Sequence, residues 1–380
     1  KEILEQNIAK FRVFGGKATI YSASFNQKNL SQVTYATIGS IIRKKHLFKD
    51  FKYIIIDECH FCNSKGGMYE ELLKYLDVKV LGLTATPYRL TTDRYGGSIL
   101  KFLTRTRPRI FKDVIYYVQN KTLFDQDYLA PLQYINIEGF DISQVKKNST
   151  GADFDDESLK RYFNIINHTD RVFEVVKDLK NKRKGILVFN KFVGEGDFLK
   201  DKFSNAEIVT AQTKKRDRSE IINRFRSGET KIIFNVGILN CGFDYPELDT
   251  IVLARPTMSL ALYYQQIGRG IRPYPDKEKT LIIDLCGNYN KFGKVENLEF
   301  HENDGLYFIS NEKNQLTNVY YGDEKPVDRI FTMPFGKHKG KTINKIPKDY
   351  LVWLSENVKL KGKLKQEVKK GINYEKGFAC

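Results

Sequence analysis

Two adjacent carboxylates, Asp57 and Glu58, close a short run of apolar and β-branched residues, Tyr53-Ile54-Ile55-Ile56. Such a run suits a central parallel strand covered on both faces. Ligands of doubly wound sheets gather at the carboxyl ends of the strands, so the pair would face a crevice. Mg2+ takes oxygen ligands and keeps several waters, so one carboxylate beside a triphosphate suffices to hold it. A second can orient or deprotonate an attacking water. The chemistry suggested is hydrolysis of a Mg2+-bound nucleotide, with Asp57 on the ion and Glu58 on the water. Taken alone, two adjacent acids favour a plainer reading, an acidic cap on a strand end. A second apolar run, Val78 to Leu83, ends in Thr84-Ala85-Thr86-Pro87. Two neighbouring strands would then present acids and hydroxyls at one edge.

A second constellation lies far downstream. Gly242-Phe243-Asp244 follows an apolar run at Lys231 to Phe234, and Gln265-Gln266-Ile267-Gly268-Arg269-Gly270-Ile271-Arg272 comes later. Gln265, Arg269 and Arg272 are four and three residues apart, which on a helical turn places them on one face. Two guanidiniums aimed across a cleft can stabilise charge on a transferring phosphoryl group. Two arginines without context read more simply as a basic helix face.

The elements that must position these groups form two α/β blocks. The first opens with a helix over Lys1 to Phe11 and a strand near Ala18 to Ser22, and Gly67 to Leu76 has helical character before the Val78 strand. Residues 89–109, rich in Arg, Thr and Gly, read as loop, with Arg105, Arg107 and Arg109 as a solvated basic face. The polar breaks at Asn148 to Gly151 and Asp153 to Glu157 suggest a connector. The second block has a helix through Val172, Val175, Val176 and Leu179, and a helix over Arg218 to Arg226 stopped by Gly228. Its strands are Gly185 to Phe189, Lys231 to Phe234, Thr250 to Leu253 and Thr280 to Ile283. Helices alternating with parallel-type strands predict the α/β class and two RecA-like parallel-sheet lobes that hold a nucleotide between them. The expected divisions are a first, partial lobe over 1–125, a connector over 126–169, a second lobe over 170–300, a linker over 301–325 and a small basic module over 326–380.

The chain of 380 residues is long enough for two or three domains, and its 41% hydrophobic and 29% charged content is that of a globular protein. No apolar run approaches a membrane span, and no secretory leader opens the chain. A net charge of +17 points to an anionic partner, nucleic acid first, although charge alone does not separate it from an anionic membrane surface. Cys59, Cys62, Cys241, Cys286 and Cys380 are an odd, unpatterned set that fits a reducing compartment such as the cytoplasm. Cys59-x-x-Cys62 lacks the second Cys/His pair that a zinc site needs.

Asp57-Glu58-Cys59-His60 followed by Thr84-Ala85-Thr86-Pro87 resembles motifs II and III of the superfamily-2 helicases and translocases. Q-x-x-G-R-x-x-R placed after G-F-D resembles motifs V and VI, and Gln32 to Ile41 resembles motif Ib. The likeness covers residues 1 to roughly 300. Within that class the strings Asn235 to Asp249 and Gln265 to Pro273 resemble RadD-type bacterial DNA repair helicases, then UvsW-like phage helicases. The resemblance implies ATP and Mg2+ at Asp57 and Glu58, and coupling of the nucleotide to nucleic-acid movement through His60, Thr84, Ala85 and Thr86. It implies that Gly242, Asp244 and Gln265 border the nucleotide and that Arg269 and Arg272 act as fingers. Thr37 would touch a nucleic-acid phosphate, although a Thr in such a turn is equally a helix cap. D-E-C-H with Q-x-x-G-R departs from the DEAD-box RNA helicase pattern, which favours DNA, whether single-stranded, duplex or branched. Single-stranded-DNA-binding or recombination proteins would be further partners.

Two departures qualify the likeness. A phosphate-cradling loop needs the G-x-x-x-x-G-K-[ST] spacing between a strand and a helix. Gly15-Gly16-Lys17 has neither the spacing nor the placement. The expectation is that this loop lies upstream of residue 1, or that the motor has lost it and persists as an ATPase-inactive nucleic-acid-binding remnant. A restriction-system motor is a third reading. The tail also differs from RadD-type chains. Phe331 to Asn357 resembles the C-terminal module of exonuclease X-like proteins. Its basic turn beside Tyr350 and Trp353 suits nucleic-acid contact, with Trp353, Leu351 and Leu354 expected to form the module's own core. Gly336 to Thr342 is one residue short of a phosphate loop.

Overall fold

The computed structural model describes residues 2–63, 66–92, 98–149, 153–238, 245–321, 333–360 and 362–373. The second block is a six-stranded sheet, parallel throughout. Its strand order is Ala206–Val209, Ile232–Asn235, Ile186–Asn190, Thr250–Ala254, Thr280–Asp284 and Leu132–Asn136. Alternate side chains of a strand point to opposite faces, and both faces here are apolar. Ile186, Val188, Ile232 and Phe234 pack with Val172 and Val176 of the His168–Leu179 helix. Leu187, Phe189 and Ile233 pack on the other side with Ile222 and Phe225 of the Lys215–Arg226 helix and Tyr263 of the Leu260–Ile267 helix. This double covering is why these strands read as unbroken apolar runs. The α/β class and the RecA-like architecture are as expected.

The edge strand Leu132–Asn136 comes from the stretch expected as connector, and so does the helix Asp156–Ile165, capped by Asp155, whose carboxylate accepts from Ser158 N. Its alternating pattern of half-buried and exposed residues marks an edge, so no continuous apolar run announces it.

In the first block, Tyr53–Asp57 and Lys79–Leu83 pair in parallel, with Asp57 opposite Leu83. Only one face of this pair is covered among the described residues: Ile56 is buried, whereas Tyr53 and Ile55 are 67% and 65% exposed. A separate three-stranded sheet joins Gln27–Lys28, Thr19–Ser22 and Thr34–Ala36.

Residues 89–109 are not simply loop. Tyr88–Thr92 and Ser98–Phe102 form an antiparallel hairpin. Tyr88, Leu100 and Phe102 sink into the core of the second block together with Phe300, Tyr307 and Ile309. The intervening Arg and Thr residues obscured this alternation in the sequence. The expected linker 301–325 is likewise structured. Glu299–Asn303 and Leu306–Ser310 form a hairpin, and Tyr320–Tyr321 pairs with the Ser98–Phe102 strand. Asn318 ties these pieces together. Its backbone N–H donates to Leu100 O at 2.6 Å and its Nδ2 to Tyr307 O at 2.8 Å. A cavity of about 660 Å3 separates the Lys79–Leu83 strand from Tyr117, Tyr264 and Phe300.

The C-terminal module has its own small core of Met333, Ile343, Ile346, Leu351, Leu354 and Val368 beneath the helices Lys348–Asn357 and Gly362–Asn373. Trp353 does not join it and is 51% exposed, against the expectation. It lies two residues after Leu351 and one before Leu354, on the outward side of its helix.

Candidate active site at the interface of the two lobes

Asp57 ends its strand and Glu58 turns the chain, with φ 51° and ψ 47°. A left-handed backbone on a residue other than Gly, Asn or Asp costs about 1–2 kcal/mol and is held only where surrounding structure enforces it. The turn presents both carboxylates at the strand's carboxyl end. Asp57 is exposed. Its Oδ1 accepts from Glu58 N at 2.9 Å and its Oδ2 from Asn7 Nδ2 at 2.7 Å. An ionised carboxylate offers about four lone-pair positions, so Asp57 keeps room for a hard cation. Glu58 is half-buried. Burial raises its pKa, the Asp57 charge adds to this, and the Arg269 guanidinium opposes it.

His60 is buried on the 3-10 turn that follows. Its Nδ1 lies 2.9 Å from Thr84 Oγ1, 3.1 Å from Thr86 Oγ1 and 3.3 Å from Glu58 Oε2. Its Nε2 lies 2.9 Å from Gln265 Nε2 of the other lobe. With the Gln265 amide donating, Nε2 is the acceptor and Nδ1 carries the hydrogen toward the hydroxyls. Burial, with the Arg89 charge adding to it, lowers the His60 pKa to about 4. The ring is therefore neutral at pH 7, and its contact with Glu58 is not an ion pair. Thr86 is buried and Thr84 half-buried, with Thr86 N donating to Thr84 Oγ1 at 3.0 Å; Ala85 is exposed between them.

On the opposite side, Gln265 sits on the Leu260–Ile267 helix, which Ser259 caps through its hydroxyl. The helix ends at Gly268, so Arg269 lies in the turn beyond it and Arg272 past that turn. The expected single helical face thus breaks after Gln265. In that turn Gly270 packs where a Cβ would stand 2.5 Å from Thr280 Cγ2. Arg269 Nε donates back to Gln265 O at 3.2 Å, and its charge acts on Glu58. Lys277, which sequence reasoning passed over, holds this turn. Its Nζ donates to Gly270 O at 2.5 Å, Arg272 O at 2.7 Å and Pro246 O at 3.0 Å. Burial lowers its pKa to about 8, with Asp249 opposing and Arg272 adding to the shift.

The structure thus brings together Asp57, Glu58, His60, Thr84, Thr86, Gln265 and Arg269. Gly242 and Asp244 lie outside the described residues. Thr37 stands before the short helix Ile38–Ile41, but its hydroxyl bonds Ser22 Oγ at 3.1 Å and Ser40 Oγ at 2.9 Å and caps no amide. Cys59 and Cys62 are buried, and burial pushes both thiols up to about 12. Cys59 fills a packing role: a Cβ on Gly82 would stand 2.7 Å from its Sγ. No helix among the described residues is long and apolar enough to cross a membrane.

Known proteins resemble this chain over each of its blocks. Residues 166–273 match the family described as helicase conserved C-terminal domain, and residues 1–89 match that described as type III restriction enzyme, res subunit. Residues 328–373 match a family described as "Putative quorum-sensing-regulated virulence factor". A Lactococcus phage "51.5 kDa protein" is 31% identical over 302 residues, covering 77% of this chain and 59% of the relative. "Putative ATP-dependent helicase IRC3" of Saccharomyces cerevisiae is 29% identical over 273 residues, covering 68% and 37%. The chain therefore spans between about a third and three fifths of these relatives. The fragment structure of a putative HsdR subunit of a type I restriction enzyme from Vibrio vulnificus YJ016 shares the fold, with TM-score 0.54 at 22% identity, over 73% of this chain and 54% of that one. The chain is thus similar to a helicase C-terminal domain in its second block and to a restriction-enzyme subunit in its first, and its relatives include a protein named as an ATP-dependent helicase.

Proposed function

We propose that this chain belongs to an ATP-dependent DNA helicase or translocase of the repair or recombination type. The observation that carries the reading is the junction of the lobes. His60, beside the paired acids, meets Gln265 at 2.9 Å, and the Arg269 charge reaches Glu58. Asp57 would hold Mg2+, which when bound would neutralise charge on the phosphates. Glu58, whose pKa burial raises, orients the attacking water and as a carboxylate takes its proton. Arg269 supplies positive charge from the other lobe, and Arg272 stands next in that chain segment. His60, Thr84 and Thr86 relay the nucleotide state, because one ring bonds hydroxyls of the first lobe and an amide of the second. The spacing of a phosphate-cradling loop does not occur in these 380 residues. The choice of DNA rests on the departure of D-E-C-H and Q-x-x-G-R from the DEAD-box pattern, and the repair role on the RadD-type likeness of the strings Asn235 to Asp249 and Gln265 to Pro273.

The test is ATP hydrolysis by the full-length protein with single-stranded, duplex and branched DNA, and with RNA. Glu58→Gln is expected to lower DNA-stimulated turnover by about 100-fold or more while ATP binding persists, the range of a lost general base. Unchanged turnover would remove Glu58 from the role given to it. A second reading, the motor subunit of a restriction system, is favoured by the match of residues 1–89 to the res subunit. Hydrolysis that depends on a specific unmethylated recognition sequence would select it.

A further inference from the structure

We propose that the C-terminal module, residues 333–373, is a docking site for single-stranded nucleic acid, with Trp353 and Tyr350 as the stacking surface and the neighbouring lysines on the phosphates. The proposal extends the DNA-motor reading but does not rest on ATP hydrolysis. Trp353 is the chain's sole tryptophan. A module with so small a core would gain most by burying its largest apolar ring, yet Trp353 remains half outside. Leu351 and Leu354 face inward on the same helix, Tyr350 is half-buried at the margin of that core, and Trp353 stands exposed about one turn after it. Their ring centroids are 5.8 Å apart and their planes differ by 31°. The His338 ring stands edge-on to Tyr350 at 4.6 Å.

The turn that carries His338 is fixed against this surface. Met333 N donates to Lys341 O and Gly340 N to Met333 O, both at 2.8 Å. Gly336, with φ 75°, lies so close that a Cβ would meet Tyr350 Oη at 2.7 Å. Lys337, Lys339, Lys341 and Lys345 are exposed on or just after the turn. Across 333–373 there are eleven lysines and no arginine against three acids, Asp349, Glu356 and Glu367. This charge selects a polyanion. Lysine meets phosphate as a point charge without the planar fork that reads base edges, so the contact is tolerant of sequence. Aromatic rings accept bases only where bases are unstacked. A duplex would satisfy the lysines and leave Trp353 in water, which favours a single strand.

With one tryptophan, emission excited at the red edge where the 22 tyrosines do not absorb reports on this position of the chain. A titration with an oligo-dT of about 15 nucleotides, within the site sizes of single-strand binders, is compared with a duplex of equal length. The expected result is saturable quenching by the single strand, weakened by salt, and little quenching by the duplex. Tyr350→Ala should weaken binding by about 5- to 100-fold, the range of one lost base stack. Replacing Lys337, Lys339 and Lys341 by Gln should weaken it and flatten its salt dependence. Unaltered tryptophan emission while a labelled oligonucleotide binds the chain would overturn the proposal, as would equal quenching by duplex. Emission that shifts with protein concentration alone, without oligonucleotide, would also overturn it by showing that copies of the chain cover the ring. ATPase measured on the same full-length variants separates this outcome from failure of the motor reading, because neither Trp353 nor Tyr350 belongs to the nucleotide site.

Discussion

His60 carries the sharpest consequence at the scale of single residues. Its folded pKa of about 4 lies below the ordinary value of 6.5. Between those values the unfolded chain binds a proton that the folded chain refuses, so stability is complete above pH 6.5 and falls as pH drops toward 4. Glu58, whose pKa is raised, works in the opposite sense over the lower part of that window. The His60 contribution is therefore read as the difference between the native chain and His60→Gln, which cannot titrate. The unfolding free energy from denaturant titrations should fall less between pH 7 and pH 4.5 in the variant, by roughly 1–3 kcal/mol. The paired acids, the TAT turn and the paired arginines were visible in the sequence because their chemistry dictates residue type. The neutrality of His60 was not, since it arises from burial beneath the Thr84–Thr86 turn and from Arg89, which only the fold brings near.

Among the elements, the segment from Gly268 to Thr280 departs most from its expected form. The helix stops before the arginines, and Lys277 gathers the carbonyls of Gly270, Arg272 and Pro246. An ionised donor to each carbonyl contributes about 1.5–3 kcal/mol. Lys277→Met should thus loosen the Arg269 turn, lowering kcat about tenfold or more with little change in KM for ATP, a loss confined to the transition state. Steady-state ATPase of the full-length variant checks this. A matching rise in KM alone would show that Lys277 serves substrate binding. Sequence offered no sign of it, because Asp276-Lys277-Glu278-Lys279 looks like any solvated charged stretch. The second-lobe strands were legible, since burial on both faces writes itself as apolar runs. The Tyr88–Phe102 hairpin was not, because only alternate residues are apolar and Arg and Thr fill the gaps.

For the whole molecule, the hairpin decides how the halves are joined. Tyr88 is buried among second-lobe residues, whereas Thr86 bonds the His60 ring of the first. Inserting Gly-Gly after Pro87 should leave DNA-stimulated ATP hydrolysis within a few-fold of the parent while movement along DNA, followed by triplex displacement, is lost. Equal displacement activity would show that transmission runs elsewhere. Pro87 is the one residue between those two anchors. A link so short has no slack to absorb relative rotation of the lobes, so a change at the nucleotide is transmitted as strain across two peptide units, and the connection behaves as a rigid crank arm.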